Sequence, residues 1–417
     1  MLFRSLFAVA ALALAQPTVE PAVPVSATVE VAADGASKSD APTLTNPPAA
    51  PDEKKASTVA EDRSGKGNTV GGLKLETDLP WWQRLKVGGF ARVGVFYAFP
   101  LREEQLVGGN GGFRLADFRL NFDFRPINKL TVYASVEFAA PLVDPNDPLT
   151  GRRIVDLRDA FIEYEICSGL LVKAGQFRPP YYAEMLLSDG AIPFVNRSIL
   201  ANGITPPEGY GPRTHLAPDR QVGLQASSKR LGNDTIGFKY ALGVFNGNGQ
   251  NQLFNDNNSV NPVGRVEVDF QQTVTLGLNA GYNVRTTGTR PNRLSTNDLD
   301  YGVDLEAHKW GVQVLGAVLG RSTTYSFSGL VPDSSMGALG QLRYFHEGTG
   351  LEGAARFAWY EPSRVQADDT AMELAAMVGW RPFKLPFRVL AQYTHREEER
   401  SVSFPNDSVD LMLHAIW

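Results

Sequence analysis

Apolar and polar residues alternate with a period of two along most of the chain after residue 85. Val87, Ala91, Val93, Val95, Tyr97 and Phe99 fall on one side of the first such stretch, with Lys86, Gly88, Arg92 and Gly94 on the other. The second sets Phe118, Leu120, Phe122 and Phe124 against Asp117, Arg119, Asn121 and Asp123. The third sets Leu130, Val132, Ala134, Val136 and Phe138 against Thr131, Ser135 and Glu137. A two-residue period puts successive side chains on opposite faces, so each stretch predicts a half-buried β-strand. Similar runs follow near 154–166, 170–177, 220–230, 235–245, 261–270, 274–285, 299–308, 310–321, 335–345, 350–360, 371–381, 387–397 and 408–417, sixteen strands in all. The last, "VDLMLHAIW", keeps Val409, Leu411, Leu413, Ala415 and Trp417 on one face and Asp410 and His414 on the other.

The connections form a second pattern. Every other gap is short ("RPINK", "CSG", "LGND", "QQT", "HEGTG", "RPFKLP"), and those between are longer and polar ("EEQLVGGNGG", "APLVDPNDPLTG", "NGNGQNQLFNDNNS", "RTTGTRPNRLSTND"). Tight turns at one end and long loops at the other predict an all-β fold, a sixteen-stranded antiparallel transmembrane β-barrel. The second face carries Arg92, Arg119, Asp123, Glu137, Glu163, Lys173, Lys239, Arg265, Glu267, Asp304, Arg343, Glu352, Arg356, Glu373 and Arg388. So many charges do not fit a dry core, so they are expected to line a water-filled pore, with the apolar face toward outer-membrane lipid. Backbone groups in lipid must all be paired, so the last strand is expected to zip against the first. Trp417 then joins an aromatic girdle with Trp359, Tyr360 and Trp380.

The first residues change the picture in one respect. Arg4, an apolar stretch from Leu6 to Leu14 and the small-x-small site Ala13–Ala15 read as a signal peptide, 1–15, cleaved after Ala15. Residues 16–80 follow, rich in Pro, Ala, Thr and Ser, with ten acids, six bases and no aromatic residue. Such a segment buries too little apolar surface to fold, and it is expected to be a disordered periplasmic tail. The barrel domain, 81–417, is near neutral, with 33 Lys and Arg against 35 Asp and Glu. A net charge of −5 argues against a nucleic-acid binder. The lone Cys167 leaves no internal disulfide.

One stretch goes beyond pattern. "RDAFIEY" (158–164), "VKAGQFRPPYYAEMLLSD" (172–189), "FVNRS" (194–198) and "DRQVGLQ" (219–225) resemble the phosphate-selective porin O and P family of Gram-negative outer membranes. The resemblance covers roughly 85–417. It implies a sixteen-stranded barrel, usually a homotrimer, that passes anions such as phosphate through constrictions lined by Arg and Lys. It also implies localisation in the cell outer membrane, with the tail on the periplasmic side. The longest connection, about 178–219, is expected to fold inward and narrow the pore. Arg178, Arg197, Arg213 and Arg220, with Arg119 on the wall, are the candidate anion contacts. Glu184, Asp189, Glu208 and Asp219 stand against them, and the opposing reading has each arginine pair with an acid and shape the loop.

Other chemistry is sparse. The five histidines are far apart without metal-ligand spacing, "GGNGG" (108–112) precedes no helix, and "DPNDP" (144–148) and "NDNNS" (255–259) read as turn formers rather than Ca²⁺ sites. No cofactor and no catalysis are expected. The function expected is a diffusion porin. A structural envelope protein, with a plugged barrel and a tethering tail, is the competing class, and an outer-membrane hydrolase is a third.

Overall fold

The computed structural model describes residues 80–99, 112–143, 151–202, 216–252, 254–287, 293–326, 329–382, 385–398 and 407–417, together with 69–70 and 73–74. The expected signal peptide, nearly all of the 16–80 tail, "DPNDP" and Arg213 lie outside these residues.

Sixteen antiparallel strands close into a barrel among the described residues. They are β1 (Leu85–Ala98), β2 (Gly112–Ile127), β3 (Leu130–Val143), β4 (Gly151–Cys167), β5 (Leu170–Phe177), β6 (Gln221–Ser227), β7 (Ile236–Phe245) and β8 (Asn261–Phe270). Then come β9 (Val274–Thr287), β10 (Leu294–Lys309), β11 (Val312–Tyr325), β12 (Asp333–His346), β13 (Leu351–Glu361), β14 (Ala371–Trp380), β15 (Phe387–Glu398) and β16 (Ser408–Ile416). Leu231–Gly232 continues the edge of β6 and pairs with β7. The short connections use turn chemistry suited to tight hairpins. Between β10 and β11, Trp310 and Gly311 both hold positive φ, 53° and 79°, which matches the strand twist.

The faces alternate as the sequence pattern requires. Along β14, Ala371, Glu373, Ala375, Met377 and Gly379 are buried toward the inside, while Met372, Leu374, Ala376, Val378 and Trp380 are exposed outside. Leu411, Leu413, Leu342, Phe357 and Leu278 likewise stand on the outer surface. In water this much exposed apolar surface would be a liability; in lipid it is the stable arrangement. Trp380 and Trp417 project outward at the short-turn end. Tyr360 corrects the expected girdle: it points inward and is 2% exposed. Neighbours in a strand face opposite sides, so Trp359 and Tyr360 cannot both reach lipid.

Closure lies between β16 and β1, paired from Ser408↔Ala98 to Ile416↔Phe90. Gly89 and Trp417 extend the seam by exchanging backbone hydrogen bonds of 3.0 and 3.1 Å. A Cβ on Gly89 would lie 2.2 Å from the Arg119 carbonyl and 2.9 Å from the Trp417 ring. Gly89→Val should therefore strain the seam and lower stability by about 1–3 kcal/mol. Reversible unfolding in detergent measures this, and an unchanged unfolding midpoint would contradict it. Five register shifts interrupt the ladders, all within β1–β5 among the described residues. Such bulges re-aim side chains, and one falls beside Arg92, a residue that holds the inward loop.

Candidate functional site

The connection after β5 enters the barrel. Its described parts, 178–202 and 216–220, include two single helical turns, α1 (Ala183–Leu186) and α2 (Ile199–Asn202). Tyr181, Tyr182, Met185, Leu200 and Leu216 pack on a patch of inner wall formed by Leu315, Leu319, Leu339, Ala358 and Tyr360. Phe194 and Val195 seat on Ala375, Met377, Leu390 and Met412. The wall is contoured for the loop: a Cβ on Gly337 would lie 2.1 Å from Leu200 Cδ2.

Wall arginines bind the loop through its backbone. Arg92 donates to the Val195 carbonyl at 2.6 Å, Arg388 to Ile192 at 2.7 Å, Arg356 to Asn196 at 2.8 Å and Arg265 to Tyr181 at 2.8 Å. Each also faces a carboxylate: Asp117, Glu352, Glu373 and Asp304 respectively. The Glu184 carboxylate, 2% exposed, accepts from Ser198 N, Ser198 Oγ, Tyr182 OH and Gln341 Nε2 at 2.6–3.1 Å. The expectation that the charged face lines open water is thus corrected over much of its area. It meets the loop, because pairing and hydrogen bonding offset the cost of burial.

Four of the five candidate arginines converge on one residue, Asp189. Arg119 Nη1 lies 2.6 Å from it, Arg197 Nη2 2.6 Å, Arg178 Nη2 3.0 Å and Arg220 Nη2 4.0 Å. Further carboxylates share the load. Arg119 reaches Glu137 at 3.0 Å, and Arg220 reaches Asp159 at 3.0 Å and Asp219 at 3.5 Å. Burial alone would raise the Asp189 pKa; Arg197 first, then Arg178, Arg119 and Arg220, override it and hold the carboxyl well below its ordinary range. These arginines carry their charge into a closed ionic cluster at the root of the loop.

The open part of this region is a niche of about 270 Å³ beside the loop, toward the short-turn end. Lys173, Arg178, Lys239 and Arg265 line it with Glu267, and each is paired with a carboxylate: Glu163, Asp189, Glu267 and Asp304 respectively. Gln225 and Ser227 supply neutral polar groups, and Pro180 and Leu186 an apolar side. Lys239 pairs with Glu267 at 3.0 Å yet keeps 46% of its side chain exposed. Lys173 sits 4.6 Å from the Phe161 ring and 2.9 Å from Glu163. Sequence reasoning placed Lys173, Lys239 and Arg265 on the inner face but not at a site. The strand register sets Lys173 beside Gln225 and Lys239 beside Glu267.

No family model matches the chain, and no curated protein matches it closely in sequence. Its fold matches many solved structures. An anion-selective porin from Comamonas acidovorans superposes with a TM-score of 0.55 at 10% identity, over 80% of this chain and 99% of that one. The outer-membrane channel DcaP of Acinetobacter baumannii gives 0.55 at 12%, over 80% and 97%. OmpT of Vibrio cholerae, solved in a trimer form, gives 0.51 at 12%, over 80% and 99%. The chain therefore has the porin fold, a closed barrel with a lipid-facing belt and an inward loop. At these identities the likeness is one of fold.

Proposed function

We propose that this chain forms a water-filled diffusion channel for small hydrophilic solutes across an outer membrane, with the long loops outward and the tail in the periplasm. The observation that carries this reading is the inner wall: charged along its length and left open at a niche lined by Lys173, Arg178, Lys239, Arg265 and Glu267. Solutes move down their gradient, and the inward loop sets the width. The ammonium of Lys239, 46% exposed beside the niche, gives preference to anions, among them phosphate. The trimer form of the Vibrio cholerae neighbour supports a homotrimer here as well.

The reversal potential of the reconstituted barrel under a KCl gradient tests the preference. It should lie on the chloride side, and added phosphate should reduce the chloride current. Lys239→Glu, which reverses the most exposed charge of the niche, should move the potential toward the potassium side. A potassium-side potential in the unaltered protein, or no response to Lys239→Glu, would contradict anion selection. Light scattering of the detergent complex should give the mass of three chains, and a monomer mass would overturn the trimer.

A further inference from the structure

Two short turns lock together at the short-turn end of the barrel. The Arg381 N–H, after β14, donates to the Gly350 carbonyl, before β13, at 2.8 Å. Gly350 holds a φ of 71°, and a Cβ there would lie 2.0 Å from the Arg381 carbonyl oxygen. The Arg381 side chain stays exposed, with its guanidinium 5.6 Å from the centroid of the Phe345 ring. Phe345 follows the outward-facing Tyr344, so it faces the lumen. The Arg343 guanidinium lies 5.8 Å from the same ring.

The charges around this ring do not balance. Glu352, 3% exposed, serves both Arg343, at 2.5 Å, and Arg388, at 3.4 Å. Arg92 takes Asp117 at 2.5 Å. The fields of Arg92, Arg343 and Arg381 all reach Arg388. His414 accepts from Arg388 Nε at 3.1 Å and adds no negative charge. Arg381 forms no ion pair among the described residues, and Glu347, exposed on the β12–β13 turn, does not reach it. Like charges gathered at a partly desolvated wall repel, and a counter-anion relieves them. The exposed guanidinium of Arg381 is where one can dock.

The geometry selects among anions. The flat fork of a guanidinium pairs bidentately with a planar carboxylate. A tetrahedral phosphate gains most where donors surround it, whereas here one open fork stands beside an aromatic ring. Phe345 is half-buried and offers apolar surface to the body of an organic acid. We propose that Arg381 and Phe345 form a seat for a small organic carboxylate at the short-turn mouth. The carboxylate lies on the Arg381 fork, in the field of Arg343 and Arg388, and the apolar body lies against Phe345. As a step in passage the seat rests on the channel reading, for which it names a solute class; the binding itself does not.

Modification of the folded barrel in detergent by phenylglyoxal, mapped by peptide mass, tests it. Arg381 should react readily, and benzoate should slow its reaction several-fold. Arg125, at the same end with 55% of its side chain exposed and paired with Asp123, should react at the same rate with and without benzoate. Acetate should protect Arg381 less than benzoate does, and Phe345→Leu, which keeps the volume and removes the ring, should abolish that difference. Circular dichroism checks that the variant folds. Failure of benzoate to protect Arg381, equal protection by acetate in the unaltered protein, or protection by inorganic phosphate as strong as by benzoate would each overturn the proposal. Conductance of the same preparation separates the two ideas. Protection in a barrel that passes no current would reject the channel and keep the seat, and a conducting barrel without protection would do the reverse.

Discussion

Replacing Asp189 by alanine should free the inward loop. Asp189 is the common partner of Arg119, Arg178, Arg197 and Arg220. Arg197 has no other ion-pair partner among the described residues. Removing one member of a buried ionic cluster costs about 3–5 kcal/mol, because the remaining charges stay buried without compensation. The loop meets that cost by leaving its seat, which exposes the arginines to the lumen. Single-channel records should show a larger, noisier conductance with a stronger chloride preference. Asp189→Asn, which keeps the shape and removes the charge, should behave in the same way, and Asp189→Glu should be milder. Records identical to those of the unaltered protein would mean that the cluster does not hold the loop. The pH dependence has a definite sign. The folded-state pKa of Asp189 is depressed, so its contribution is complete above the ordinary carboxylate pKa, about 3.9. It is lost only as pH falls through the lower, folded value. Loop-dependent conductance should therefore stay flat from pH 8 to about 4 and change only in stronger acid.

Removing the loop altogether should have the larger effect on current. A variant in which a short Gly-Ser linker replaces residues 183–217 loses both apolar seats, on Leu319, Leu339 and Tyr360 and on Met377, Leu390 and Met412. It also leaves Arg92, Arg356 and Arg388 facing water, their loop partners Val195, Asn196 and Ile192 being removed. Each keeps its carboxylate on the wall, so the barrel should still fold. Conductance should rise several-fold, with a weaker dependence on solute size. A rise from a non-zero value fits a loop that trims an open pore, and a rise from zero fits the competing reading of a plug. No rise at all would show that the loop does not lie in the conducting path.

The barrel was legible because its signal is long and redundant. Each strand repeats the same alternation, as along β14, and the short turns and long loops alternate with it. The seat of the loop was harder to see. "VQVLGAVLG" in β11 is apolar on both faces, and Leu315, Ala317 and Leu319 turn inward to carry the loop. A strand apolar on both sides is covered on both sides, and this was the available clue. The ionic cluster could not be read from spacing. Arg119 and Asp189 lie 70 residues apart, and Arg356 and Asn196 160. Only the inward fold of the chain brings them together. The sequence did supply the arginines and the acids, and it left open whether they contact solute or each other. Arg119, Arg178, Arg197 and Arg220 pair with acids in the structure, while Arg213 lies outside the described residues. The more open cations of the niche, Lys173 and Lys239, were read as wall charges because no motif marks them.

Water and ions should pass through this barrel beside its loop. Single-channel recording of the purified, folded protein in a planar bilayer tests it most directly. Stepwise currents whose conductance rises in proportion to the bulk conductivity of KCl are the predicted result, as expected of an aqueous path. A barrel shown to be folded and inserted that passes no current would contradict the account.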